Sequence, residues 1–150
     1  MARKVSTNTF LFPDVNVWLA LAHGIHPHHR TAIDWGESLD PESRFYFCRV
    51  SQLSLLRLLT NESVMGIDVA AQAEAWRIHD MFYENGRTFL TDEPRGLEDL
   101  LRARTANRRS STKEWADEYM AAFAEAAHLT LVTFDKALAG RARGSILLKP

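Results

Sequence analysis

The chain has 150 residues, of which 46 % are hydrophobic and 25 % charged, the composition of a globular protein rather than of a disordered, collagenous or coiled-coil one. Its 18 Lys and Arg against 19 Asp and Glu leave a formal net charge of −1, so no global basic field exists to coat nucleic acid and any such site must be local. The lone cysteine, Cys48, excludes an internal disulfide framework and an all-cysteine zinc site, and fits a reducing compartment.

No apolar run approaches the roughly 18 residues that span a membrane. The basic start Met1-Ala2-Arg3-Lys4 has no long apolar region behind it, so no signal peptide is expected. These features predict a soluble, cytoplasmic protein forming one domain over residues 1–150. Thr9 to Pro13 reads as a short strand, followed by Asp14-Val15-Asn16 and a helix-compatible run from Val17 to Ala22. A second helix is expected over His28 to Leu39, and a buried aromatic strand over Phe45 to Cys48. Ser51 is the expected N-cap of a helix reaching Thr60, and Asp68 that of a further helix ending near Asn85-Gly86. Arg87 to Leu90 reads as a strand, Gly96 to Thr105 and Lys113 to Ala127 as helices, and Leu129 to Thr133 and Ile146 to Leu148 as strands. Strands separated by helices predict an α/β fold of three α/β/α layers around a mainly parallel sheet.

In such sheets the active crevice lies beyond the carboxyl ends of the strands. Asp14 and Asp135 each follow a predicted strand directly, so both open into that crevice or serve as helix caps. Asp117 shares a helix face with Met120, Ala121 and Ala124, an apolar face on which a carboxylate needs a partner or a cation. Glu114, Glu118 and Glu125 fall near another face and read as a solvated stripe. Three carboxylates converging at one sheet edge repel each other unless a cation sits between them. All-oxygen ligands favour Mg²⁺, with Mn²⁺ as a substitute, and such a site suits phosphoryl chemistry, with the metal polarising a phosphate and activating water.

Three blocks carry a family resemblance: Phe12 to Leu21 with its Asp14-Val15-Asn16-Val17, Trp115 to Ala124 around Asp117, and Leu131-Val132-Thr133-Phe134-Asp135. Together they resemble the acidic blocks of PIN-domain ribonucleases, above all the VapC toxins of bacterial toxin–antitoxin pairs. The segment from Arg49 to Asn61 resembles a subgroup of these toxins. The resemblance implies a Mg²⁺-dependent endoribonuclease in which Asp14, Asp117 and Asp135 hold the metal, directly or through water, and one aspartate or the metal itself activates the attacking water, with Asn16 and Thr133 as supports. It also implies a homodimer and an inhibitory VapB-type antitoxin. One departure is plain. The usual pattern has a glutamate on the helix after the second strand, whereas Ser51 to Thr60 holds no acid, and Gln52, Ser54 or Arg57 stands near that place. Gln52 or Ser54 is therefore expected to hold a metal-bound water.

The basic stretch Arg102, Arg104, Arg108 and Arg109 is solvated surface or lines an RNA path, with Lys136, Arg141 and Arg143 as weaker versions of the same feature. His23, His26, His28 and His29 read as helix entry and packing rather than a metal site, and Trp18, Trp35, Trp76 and Trp115 as core or interface. Two competing readings follow from the same residues. A PIN domain lacking its helix glutamate binds RNA or a partner without cutting. Alternatively, Asp14 and Asp135 serve a Mg²⁺ phosphohydrolase of the haloacid dehalogenase type, a chemistry that normally needs an aspartate where Asn16 stands.

Overall fold

The computed structural model describes residues 9–150, so the basic start Met1–Lys4 lies outside the described residues. Strands β1 (Phe10–Pro13), β2 (Arg44–Phe47), β3 (Thr88–Leu90), β4 (Thr130–Thr133) and β5 (Ile146–Leu147) form one sheet in the order β3-β2-β1-β4-β5, and every pairing is parallel. Parallel neighbours need crossovers, and the helices supply them: α1 (Val15–Ala22), α2 (His29–Glu37), α3 (Arg49–Leu59), α4 (Glu62–Met65), α5 (Gln72–Met81), α6 (Leu97–Arg104), α7 (Glu114–Ala127) and α8 (Lys136–Arg141). The expected α/β/α arrangement is therefore present.

Residue alternation along the strands divides the core in two. On one face Leu11, Phe45, Phe47 and Val132 pack with Val17 and Trp18 of α1, Leu55 and Leu59 of α3, and Ala75 of α5. On the other, Phe12 and Leu131 pack with Leu97 of α6, Met120 to Ala124 of α7 and Leu138 of α8. Trp18 stacks on Phe47 at 3.8 Å between ring centroids and meets the edge of Phe82 at 4.9 Å. Phe12 stacks on Phe123 at 4.9 Å across the opposite layer.

The structure corrects several sequence expectations. Cys48, not Ser51, caps α3: its sulfur accepts from the Ser51 N–H, and the Ser51 hydroxyl accepts from the Cys48 N–H at 3.0 Å. Ser51 is thus the returning arm of a capping box, a role its hydroxyl fills as well as it would fill the cap itself. Asp68 ends a short 3₁₀ turn, Gly66–Asp68, and α5 begins later, after Ala71. There the Asp68 carboxylate meets His23 at 3.0 Å instead of a helix N-terminus. Of the tryptophans expected in core or interface, Trp18 is core at 1 % exposure, while Trp76 and Trp115 are 45 % and 59 % exposed and do not belong to the core.

This packing sets a contrast measurable by urea denaturation. Trp18→Ala is expected to lose about 3–5 kcal/mol, the range for emptying a well-packed aromatic site, whereas Trp76→Ala should cost less than about 1 kcal/mol.

Candidate active site

The sheet order makes β1 and β4 neighbours while the chain builds outward from them in opposite directions, through β2 to β3 on one side and to β5 on the other. The helices that follow these two strands leave to opposite faces: α1 joins the Trp18 layer and α8 the Phe123 layer. A crevice opens where two such connections diverge, and this is where α/β sheets place ligands.

Both strands end in an aspartate at that point. The Asp14 N–H donates to the Val132 carbonyl at 2.8 Å, extending the β1–β4 pairing to the crevice edge. Asp14 caps α1, with Oδ1 accepting from the Val15 N–H at 2.7 Å. Asp135 caps α8, with Oδ1 accepting from Ala137 and Leu138 N–H at 2.8 and 3.2 Å. Each aspartate is therefore a cap, and the capping fixes where its second oxygen sits.

Thr133 joins them. Its fully buried hydroxyl donates to Asp14 Oδ2 at 3.0 Å and accepts from the Asp135 N–H at 3.0 Å. Asn16 completes the bracket: its Nδ2 donates to Thr133 Oγ1 and its Oδ1 accepts from the Phe134 N–H, both at 3.4 Å. Asn16 and Thr133 thus lie where the sequence places them, in contact with the aspartates or with the backbone that carries them.

Asp117 reaches the same region from the first turn of α7 and stands half-buried. Burial raises the Asp14 carboxyl above its ordinary range against the lowering effect of its Val15 and Thr133 hydrogen bonds, and the charges of Asp117 and Asp135 push it further up. Burial, then the charge of Asp135, raises Asp117, while Arg141 opposes the rise. The three carboxylates feel one another electrostatically but do not close on one point. Among the described residues no three His, Cys, Asp or Glu side chains form a preformed metal cage. Their chemistry nonetheless fits a hard divalent cation, being all oxygen and mutually repelling, with Asp14 and Asp117 partly desolvated. Mg²⁺ keeps several of its waters, so spaced carboxylates suit it better than a closed cage.

Other expected residues lie elsewhere. The Gln52 amide is buried and occupied: Oε1 accepts from Arg49 Nη1 at 2.5 Å, and Nε2 lies 3.3 Å from Nε2 of buried His79. The other ring nitrogen of His79 meets Asp80 at 2.8 Å. Gln52 and half-buried Ser54 make no hydrogen bond to the aspartates among the described residues. His79 went unread because nothing local to α5 signals a partner 27 residues upstream in sequence.

The charged groups of α6 to α8 also differ from expectation. Glu118 is buried, not part of a solvated stripe, and is clamped by Arg141 at 2.5 Å and Arg104 at 3.4 Å. Arg104 also reaches Glu125 at 3.3 Å, and Arg141 reaches Glu114 at 3.0 Å. Arg104 and Arg141 are therefore committed to ion pairs within the fold rather than spread on an open basic path. Arg102, Arg108 and Arg109 are exposed, Arg102 pairing with Glu98 and Arg109 with Glu114. The histidine cluster disperses into separate contacts, His29 with the Ala20 carbonyl, and His28 stacked on Phe134 at 4.6 Å.

The raised carboxyls carry a stability consequence. A carboxyl whose folded pKa lies above its unfolded one favours the fold at low pH, and that contribution is lost as pH rises through the folded value. In EDTA at pH 7, Asp117→Asn is expected to raise Tm, with the gain shrinking toward pH 4 in differential scanning calorimetry.

Comparison with known proteins agrees with this architecture. The sequence model of the PIN domain matches residues 11–144. Ribonuclease VapC41 of Mycobacterium tuberculosis is 40 % identical over 131 residues, spanning 85 % of this chain and 90 % of that protein. The crystal structure of M. tuberculosis VapC20, described as a toxin cleaving the sarcin–ricin loop, superposes with a TM-score of 0.65 at 15 % identity, covering 93 % of this chain and 99 % of the other. VapBC2 from Rickettsia felis, solved bound to a DNA fragment from its promoter, superposes with a TM-score of 0.62 at 14 % identity over 91 % of this chain and 96 % of that one. The parallel order β3-β2-β1-β4-β5, the aspartates at the ends of β1 and β4 and the extent of these matches agree: the chain belongs to the PIN-domain family, among the VapC proteins.

Proposed function

We propose that this protein is a Mg²⁺-dependent endoribonuclease, the toxin of a VapBC-type pair, acting as one cytoplasmic PIN-like domain over its 150 residues. The observation that carries the reading is the Asp14–Thr133–Asp135 bracket at the β1/β4 divergence, with Asp117 facing it from α7. The relatives support the substrate class, since VapC41 is named a ribonuclease and VapC20 a toxin that cleaves the sarcin–ricin loop. That no helix among the described residues is long and apolar enough to cross a membrane is compatible with the location.

Asp14, Asp117 and Asp135 would hold the metal, with Mn²⁺ as a substitute. When bound, the metal supplies Lewis-acid polarisation of a phosphate and a lowered pKa for water. The rest is the chain's own work. Thr133 donates to Asp14 and so keeps one carboxylate oxygen in place and favours its ionised form against the opposing effect of burial. Asn16 holds the Thr133 hydroxyl and the Phe134 N–H, fixing the β4 end against α1. Arg102, Arg108 and Arg109, exposed on the rim before α7, would take RNA phosphates by charge. A VapB-type antitoxin is proposed from the neighbours' pairing, as in VapBC2, and a homodimer from the resemblance to VapC toxins.

A second reading has one observation in its favour. With α3 lacking a carboxylate and Gln52 engaged by Arg49 and His79, the site has three acids, so binding without cutting is its alternative. The deciding experiment is incubation of labelled total RNA with purified, antitoxin-free protein in Mg²⁺, Mn²⁺ or EDTA. Discrete fragments are expected that require metal and fall at least about 100-fold in Asp14→Asn and Asp117→Asn. Intact RNA with folded wild-type protein, together with RNA retention in gel shifts, would favour the binding reading. A uniform loss of RNA affinity in Arg108→Ala/Arg109→Ala, steeper at low salt, is expected from filter binding.

A further inference from the structure

Arg141 is the last residue of α8, the short helix whose first turn is capped by Asp135. It is not a free surface cation. Its Nη1 donates to Glu118 at 2.5 Å and its Nη2 to Glu114 at 3.0 Å, both from α7. Its backbone carbonyl accepts from Arg104 Nη1 at 2.9 Å. Glu118 is itself buried, with its side chain 9 % exposed, so the partner that orients the guanidinium is anchored. Two carboxylates and a backbone contact therefore set the direction of this fork, in the geometry that distinguishes arginine from lysine.

The third nitrogen is left over. Arg141 Nε is buried and has no hydrogen-bond partner, and it stands 4.0 Å from Asp117 Oδ2. Asp117 accepts no hydrogen bond among the described residues, unlike Asp14 and Asp135, whose oxygens are held by caps and by Thr133. The least-tethered aspartate thus lies 4.0 Å from an orphaned donor whose guanidinium is held by two other carboxylates.

We propose that Arg141 is the built-in counter-ion of the aspartate cluster: a positioning residue that holds Asp117 in the metal-free protein and competes with the divalent cation for it. The competition rests on the reading of Asp117 as a metal ligand, but the pairing itself does not. The arrangement balances charge in the free protein and lowers affinity for the cation, because a guanidinium beside the site repels a dication. It also ties α8 to α7, so the element that carries Asp135 is held to the element that carries Asp117.

The test combines calorimetric titration of Mn²⁺ into the full chain with thermal melts in EDTA. Arg141→Gln should bind Mn²⁺ about five- to tenfold more tightly than wild type, because one repelling charge is gone. Arg141→Lys, which keeps the charge, and Arg104→Gln, which breaks neighbouring ion pairs but leaves Arg141 in place, should stay within about twofold of wild type. Arg141→Met, which keeps the apolar stem, carries the same expectation if the glutamine variant does not fold. In the melts, Arg141→Gln should lower Tm by at least about 2 °C less in an Asp117→Asn background than in wild type, the signature of a coupled pair. Equal Tm losses in both backgrounds, with Mn²⁺ binding intact, would overturn the counter-ion role and leave the metal reading standing. Mn²⁺ affinity in Arg141→Gln no tighter than wild type would overturn the competition. No Mn²⁺ binding by wild type would overturn the competition together with the metal reading.

Discussion

The side-by-side ending of β1 and β4 is the constraint on which the rest of this protein depends. Both strands run parallel, and the chain extends the sheet outward from them in opposite directions. Their following helices must leave to opposite faces, so neither covers the strand ends. Each of those helices needs its first N–H groups satisfied, and an aspartate at each strand end does this. Local helix chemistry thus places two carboxylates next to each other at an open crevice. Thr133, fully buried between them, converts proximity into fixed geometry by donating to one and accepting from the backbone of the other.

The same placement costs stability. Asp14 and Asp117, partly desolvated and near other carboxylates, hold protons more tightly than in an unfolded chain. Nothing in the packing requires this charge, since the two apolar layers are complete around Trp18 and around Phe123. An electrostatic cost of this kind, set in an otherwise well-packed fold, is one that the proposed cation would relieve on binding. The arginine–glutamate lattice of α6, α7 and α8 partly offsets it. Glu118 and Glu114 aim Arg141 toward Asp117, and Arg104 anchors the end of α8.

Much of this was legible in the sequence because it follows from local rules. Short apolar runs ending in aspartate gave β1 and β4, their caps and the crevice position of Asp14 and Asp135. The apolar face of Met120, Ala121 and Ala124 marked Asp117 as a carboxylate set against the sheet. What was not legible depends on distant partners. Glu118 shares a periodicity with Glu114 and Glu125 that reads as a wet stripe, yet α6 and α8 bring Arg104 and Arg141 over it. Gln52 stands near the position of the missing acid, but His79 from α5 draws its amide away. The cap of α3 was misplaced by three residues because a cysteine sulfur, a weak acceptor, took the place that a hydroxyl usually fills.

The proposed activity requires that Asp14, Asp117 and Asp135 together form one divalent-metal site. Crystals of the antitoxin-free protein soaked in Mn²⁺, with data collected at the manganese absorption edge, test it directly. An anomalous peak is expected between these three side chains, with carboxylate oxygens at about 2.0–2.2 Å and waters completing an octahedron. A peak at another cluster, or none beside well-ordered aspartates at millimolar Mn²⁺, would contradict it.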